Sequence, residues 1–131
     1  MEGLESRDEE RVNQGNEPVA FTDEEVEYLS ENILGRLATV SPEREPHVVP
    51  VAYRFDGRSI YFGGSNLTRS LKFRNLMGNN KVAFVVDDLQ STRPWRPRGI
   101  EVRGLAEPFS NGPNVGVKIT PTKKASWGLR E

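Results

Sequence analysis

The sequence predicts a mainly β fold with two short helices, its six antiparallel strands forming a small closed or partly open barrel. Three observations carry that reading. Apolar and polar residues alternate with period two through much of the chain, a helical period marks only two stretches, and turn signals part the segments at short intervals. A chain of 131 residues fits one compact domain. At that length the core needs no disulfide or metal for support.

The elements follow in order. Residues 1–20 carry several acids, few large apolar residues and no period, so they read as a disordered acidic arm before a barrel domain over 21–131. Thr22 and Glu25 have the spacing of a capping box, and Phe21 and Val26 that of a hydrophobic staple. Val26, Leu29 and Ile33 recur at helical spacing and Gly35 suits the residue after a helix, which predicts a helix over 22–34. Strands are predicted over 36–41, 47–55, 58–63, 81–87, 99–109 and 115–120. Pro50 cannot donate to a ladder, so its strand lies at an edge or is bulged there. Asp56-Gly57 is a two-residue hairpin turn. A second helix is predicted over 65–77, capped by Asn66, with Leu67, Leu71, Phe73, Leu76 and Met77 as its apolar arc.

Composition closes several routes. Cysteine is absent, which excludes disulfides, thiolate metal sites and a cysteine nucleophile. His47 stands alone, so a multi-histidine metal site in one chain is excluded and no hydrolytic triad is suggested. The longest apolar run, Val82 to Val86, is far short of a membrane span, and the acidic N-terminus is no secretory signal. The expectation is a cytoplasmic protein with no membrane partner. Neither a Walker nor a Rossmann motif occurs. Asp87 and Asp88 are adjacent at a strand end and point apart, which is poor geometry for a paired acid and base. The net charge of -1 hides an asymmetry. Residues 1–31 hold 11 acids and 2 bases, whereas 32–131 hold 8 acids and 16 bases, a body suited to an anionic ligand.

The second helix is the main candidate. Gly63-Gly64-Ser65-Asn66 is a turn without bulk that exposes the first helical amides. Arg69 and Lys72 are three apart, with the Ser70 hydroxyl between them. Amides, helix dipole, guanidinium and ammonium together suit a phosphate. The same residues also suit a solvated basic helix face, and the spacing leaves both readings open. Strand 47–52 lies one hairpin upstream, where groups freed near Pro50 suit a flat heterocycle, or it is plain core strand. Segment 93–99 sets Trp95 among arginines and prolines, either to stack on a planar ligand or as a rigid loop. The tail 121–128 offers Lys123, Lys124 and Trp127, the tryptophan suited to a subunit contact.

The stretches FTDEEVEYLSENILGRLATVSPEREPHVVPVAYRFDGRSIYFGG, SNLTRSLKFRNL, NNKVAFVVDDL, PWRPRGIEVRGLAEP and ITPTKKASWGL resemble the pyridoxamine 5′-phosphate oxidase-like split β-barrel flavoproteins. Within them they look most like the coenzyme F420-dependent oxidoreductase subgroup. The resemblance covers about 21–130 and implies a six-stranded barrel of the FMN-binding split-barrel type. It further implies a homodimer with two cofactor sites at the subunit interface. By position, His47, Val48, Val49, Pro50, Val51 and Ala52 would line the ring system and ribityl chain. Ser65, Arg69, Ser70 and Lys72 would hold the phosphate. Arg98 and Gly99 fall at a ring contact, and Trp127 near the partner's cofactor. The flavin-using oxidases carry arginine and lysine where this chain has His47 and Ala52, which favours F420 over FMN.

The function expected is hydride transfer between F420 and a small conjugated organic substrate. An FMN oxidoreductase and a non-catalytic cofactor- or nucleic-acid-binding barrel are the alternatives. Against nucleic acid, the strands show no row of exposed aromatics and the acidic arm competes for the basic surface.

Overall fold

The computed structural model describes residues 17–130. The arm expected over 1–20 thus lies outside the described residues up to residue 16. Near its end, the Val19 amide donates to the Pro121 carbonyl at 3.0 Å.

Helix α1 runs Asp23–Glu31 and forms both bonds of the capping box. The Glu25 amide donates to the Thr22 hydroxyl at 3.1 Å, and the Thr22 amide donates to the Glu25 carboxylate at 3.0 Å. The helix stops short of residue 34 because Asn32 is extended and turns its amide group back onto the Tyr28 carbonyl at 2.8 Å. Ile33 is therefore off the helix and 73% exposed, and Gly35 lies inside the next strand rather than in a cap.

Seven strands follow: β1 (Leu34–Val40), β2 (Pro46–Ala52), β3 (Arg54–Phe55), β4 (Ile60–Phe62), β5 (Lys81–Thr92), β6 (Trp95–Asn111) and β7 (Asn114–Trp127). They form one antiparallel sheet in the order β2-β1-β5-β6-β7-β4-β3. The two edges, β2 and β3, are consecutive in the chain and joined only by Tyr53. A sheet whose edges are linked by one residue has to curl until they meet, which gives a barrel split along one seam. The expected strand 47–55 is divided here, so the sheet has seven strands where six were predicted. Tyr53 leaves the ladder because its ring is buried against Phe84, with centroids 5.2 Å apart. Its amide donates to the Ile33 carbonyl and its hydroxyl to the Leu29 carbonyl, at 3.0 and 2.6 Å. Pro50 sits on the edge strand, as its missing donor demands.

The later strands outrun their predicted ends. Residues 93–99 are no loop but the tip of the β5–β6 hairpin, paired from Thr92↔Trp95 to Asp87↔Gly99. Pro97 is tolerated opposite Leu89, beside the bulge between Leu89 and Ser91. Residues 121–127 continue β7 beyond its expected end.

Leu37, Phe84, Val86, Ile100, Val102, Val117 and Ile119 fill the barrel, and Leu29 of α1 packs with them. Helix α2 (Leu71–Gly78) buries Leu76 in the same core. It is fixed to β1 by a buried bond from the Asn75 side-chain amide to the Thr39 hydroxyl, 3.0 Å. Burying an amide and a hydroxyl is tolerable only because each satisfies the other. Among the described residues no helix is long and apolar enough to cross a membrane.

Candidate functional site

The segment that leads into α2 is broken, where one helix over 65–77 was expected. Gly64 and Asn66 take positive φ, 128° and 62°, so no α-helical turn can begin there. A short 3-10 turn, Leu67–Arg69, follows, pinned by buried Leu67. Asn66 makes no side-chain cap, and Ser70 takes that role. The Ser70 hydroxyl accepts from the Phe73 amide at 3.2 Å and donates to the Leu67 carbonyl at 2.6 Å. Arg69 thus ends the 3-10 turn while Lys72 stands in the first turn of α2, so the two are not on one helix face.

The charges at this helix start are unusual. The first turn of α2 contains no acid. Arg69, just before the helix, is exposed and Lys72 is half-buried. Among the described residues neither is in an ion pair. A helix N-terminus carries a partial positive charge, so two cations there repel it and each other unless an anion intervenes. The amides of Leu71 and Lys72 precede the first intrahelical bond, Arg74 to Ser70, and add donors.

Ser65 and Ala52 open on one hollow of about 610 Å³, with Gly63 and Gly64 between β4 and the turn. Its other wall is aromatic, and the sequence reading missed it. The Arg54 guanidinium lies 4.5 Å from the centre of the Tyr61 ring, and Tyr61 meets Phe109 edge to face at 5.5 Å. The Tyr61 hydroxyl donates to Asp56 at 2.8 Å, which pushes the phenol upward. The readable signal was a turn at Asp56-Gly57, although the connection spans 56–59 rather than two residues and β4 starts at Ile60; it sets Arg54 opposite Tyr61. Asp56 is pushed up by its partial burial, but the amides of Ser59 and Arg58 and the Tyr61 hydroxyl outweigh this and hold it below the usual carboxylate range.

Strand β2 presents its two faces differently. Pro46, Val48, Pro50 and Ala52 point outward, Val48 being 64% exposed. His47, Val49 and Val51 turn inward. His47 lies in a separate hollow of about 400 Å³ with Leu71, Arg74 and Asn75 of α2, and its Nδ1 is buried without a partner. The histidine therefore faces α2 and not the outer sheet face.

The other predicted residues form a second group. Trp127 lies across Gly99, its register partner, so closely that a Cβ on Gly99 would stand 2.7 Å from the indole. Only glycine fits there. Arg98 is clamped: its guanidinium donates to Asp88 at 2.8 and 3.3 Å and lies 5.2 Å from the centre of the Tyr28 ring. The Tyr28 hydroxyl donates to the same carboxylate at 2.8 Å. Arg98 chiefly, and then Tyr28, hold Asp88 below its usual range, while burial and then Asp88 push Tyr28 up. Asp87 turns away to Arg36 at 3.2 Å, so the adjacent aspartates do point apart.

Gly99 lies on β6 and Ala52 on β2, three strand positions apart, about 14 Å across the sheet at the usual spacing. One chain thus brings together Ala52 and Ser65, and apart from them Arg98, Gly99 and Trp127. Lys124 is not a free base for a ligand. It donates to buried Glu25 at 2.6 Å, and Ser126 donates to the other oxygen at 2.9 Å. Burial pushes Glu25 up, but Lys124, the Thr22 amide and Ser126 outweigh it and hold the carboxyl below its usual value.

Comparison with known proteins agrees with this architecture. A 5a,11a-dehydrotetracycline/5a,11a-dehydrooxytetracycline reductase of Streptomyces rimosus is 37% identical over 119 residues, 83% of this chain and 84% of the relative. The solved structure of an F420 reductase is 28% identical with a TM-score of 0.60, over 76% of this chain and 94% of that one. A conserved hypothetical protein of Mycobacterium tuberculosis shares the fold at a TM-score of 0.72 and 22% identity, over 85% of this chain and 86% of that one. The family model described as pyridoxamine 5′-phosphate oxidase matches residues 21–123. With most of its length matched, the chain belongs to the pyridoxamine 5′-phosphate oxidase family.

Proposed function

We propose that the protein is an oxidoreductase of the flavin and deazaflavin type, that its cofactor is coenzyme F420, and that it reduces a small organic substrate at a conjugated double bond. The observation that carries this is the start of α2. Two cations stand at the positive end of a helix with no acid among the described residues to offset them, which fits a bound phosphate. Lys72 and Arg69 neutralise it, Ser65 and the amides of Leu71 and Lys72 donate to it, and Ser70 holds the helix start in place. The hollow at Ala52, Gly63 and Gly64 leads from that point to β2, whose edge from His47 to Ala52 would orient the ring system.

Bound there, a reduced deazaflavin would supply a hydride to the acceptor, with a solvent proton completing the reduction. The outward β2 edge amide of Ala52 would steady negative charge on the ring, Pro50 having none to offer. Similarity to the dehydrotetracycline reductase of Streptomyces rimosus and to an F420 reductase supports both the direction and the cofactor. His47 and Ala52, in place of the arginine and lysine of flavin-using oxidases, favour F420 over FMN.

A second copy of the chain completes the reading. Arg98, Gly99 and Trp127 stand too far across the sheet to reach the same chain's β2 site, so a homodimer would bring them from the partner. Ile33, Leu34, Leu89 and Trp127, 73%, 48%, 45% and 38% exposed, provide apolar surface for it to cover.

Parallel fluorescence titrations with F420 and FMN test the reading. Saturable F420 binding that Lys72→Ala weakens at least tenfold is the expected result. A yellow purified protein that binds FMN alone would overturn the choice of cofactor, and F420 binding with no turnover of any conjugated acceptor would make the protein a carrier.

A further inference from the structure

On the sheet, toward the opposite end from Gly99, a cleft of about 450 Å³ has an apolar floor of Ala38, Ala83 and Leu105. Lys81, Arg103 and Lys123 rim it, and all three are exposed. Arg103 and Lys123 are register partners at the bulge between Arg103 and Gly104, like charges in direct cross-strand opposition. Such a pair costs stability unless an anion lies between. Among the described residues, Arg103 is paired with Glu101 at 3.2 Å, and Lys81 and Lys123 have no carboxylate in ion-pair range.

We propose that this cleft is the docking place of the chain's own acidic N-terminal residues, Glu2 to Glu10. Three observations name that occupant over any other. The described chain begins beside the cleft, for the Val19 amide is bonded to the Pro121 carbonyl, and the next two residues of β7, Thr122 and Lys123, line the cleft. The residues that precede have the matching sign: Glu2, Glu5, Asp8, Glu9 and Glu10 against Arg7 and Arg11. The reach is ample, since nine residues from Val19 back to Glu10 span up to about 30 Å, while Lys123 is about 7 Å along β7 from Pro121. The remaining hollows suit an acidic segment less. The one beside α1 sets Glu24, Glu27 and Glu31 against Arg96, Arg98 and Arg130, of which Arg98 and Arg130 are already paired with Asp88 and Glu24, and in the aromatic one the cation, Arg54, already lies over Tyr61.

Tethering makes weak contacts sufficient. A short covalent link gives the segment an effective concentration on the order of millimolar at the cleft. Its attachment is electrostatic and opens with salt. Docked there, the segment excludes other anions from Lys81, Arg103 and Lys123.

Zero-length carbodiimide cross-linking of the full chain, mixed as isotopically labelled and unlabelled protein, provides the test. Cross-links within one chain from Glu2–Glu10 to Lys81 or Lys123 are expected at low salt, with at least a fivefold loss at 0.5 M salt. The buried Glu25–Lys124 pair is the internal control for the chemistry. Its cross-link without any from the N-terminal carboxylates would overturn the proposal, as would cross-links that join labelled to unlabelled chains. A full-length variant with these five acids changed to Gln or Asn should shift the amide resonances of Ala83, Arg103 and Lys123 and leave Gly99 in place. Unchanged resonances at the cleft would equally overturn it.

Discussion

The two helices begin in opposite ways. At α1, Thr22 and Glu25 complete a capping box, and Asp23, Glu24 and Glu25 place negative charge on the positive helix end. The same Glu25 reaches β7 through Lys124 and Ser126, so one carboxylate serves cap, ion pair and helix docking at once. At α2, a serine provides one capping bond, acids are missing from the first turn, and cations stand at the end that repels them. One start is complete within the chain. The other leaves its positive end without an acid, which the phosphate of the proposed cofactor would balance.

The largest effect should come from breaking the complete start. Glu25→Ala removes the cap acceptor and leaves the half-buried Lys124 ammonium unpaired, a loss of about 3 kcal/mol by thermal or urea unfolding. The pH dependence has a fixed sign. Glu25 has a folded pKa below its unfolded value, so its contribution is present above the unfolded value and fades as pH falls through the folded one. Wild type should lose stability on acidification from the ordinary glutamate range downward, and Glu25→Gln should flatten that slope. An unaltered slope would mean that Glu25 and Lys124 are not coupled in solution.

The incomplete start should answer in binding instead. Lys72→Ala should weaken F420 binding by about tenfold to a hundredfold, the worth of one charge-assisted contact to phosphate, with little change in unfolding. Ser70→Ala should cost about 1 kcal/mol of stability through the lost cap and weaken binding less than Lys72→Ala. If Ser70→Ala proved the more harmful to binding, Ser70 and not Lys72 would be the main phosphate contact.

What the sequence made readable followed the range of the interactions. The capping box at α1, the edge position of Pro50 and the divergence of Asp87 and Asp88 are local, and each stands as read. The break at Tyr53 was hidden because an apolar aromatic inside a β-rich run looks like more strand. Only the meeting of β2 and β3 across the seam turns it inward. The helix start at α2 misled for a related reason, since Asn66 is a good cap by type but takes a left-handed backbone after Gly64. Lys124 looked available because its partner, Glu25, lies 99 residues away. At the start of α2 the sequence showed the cluster of Ser65, Arg69, Ser70 and Lys72, but not that Ser70 would serve as the helix cap or that Arg69 would end a separate 3-10 turn. The aromatic wall of Tyr61 and Phe109 was not, because it needs β4 and β6 to be brought together.

The smallest expected effect is the sharpest test of the contrast between the two starts. Lys72→Glu replaces a cation at the positive end of α2 with the kind of charge that α1 already has there. If that end is strained in the absence of ligand, the substitution should stabilise the cofactor-free protein, by about 0.5 kcal/mol at low salt, while it abolishes F420 binding. The gain should shrink as salt screens the helix end. Saturating F420 should then reverse the order, because binding stabilises wild type alone. A Lys72→Glu protein less stable than wild type without cofactor would show that the cation packs for structural reasons, and α2 would then be as complete within the chain as α1.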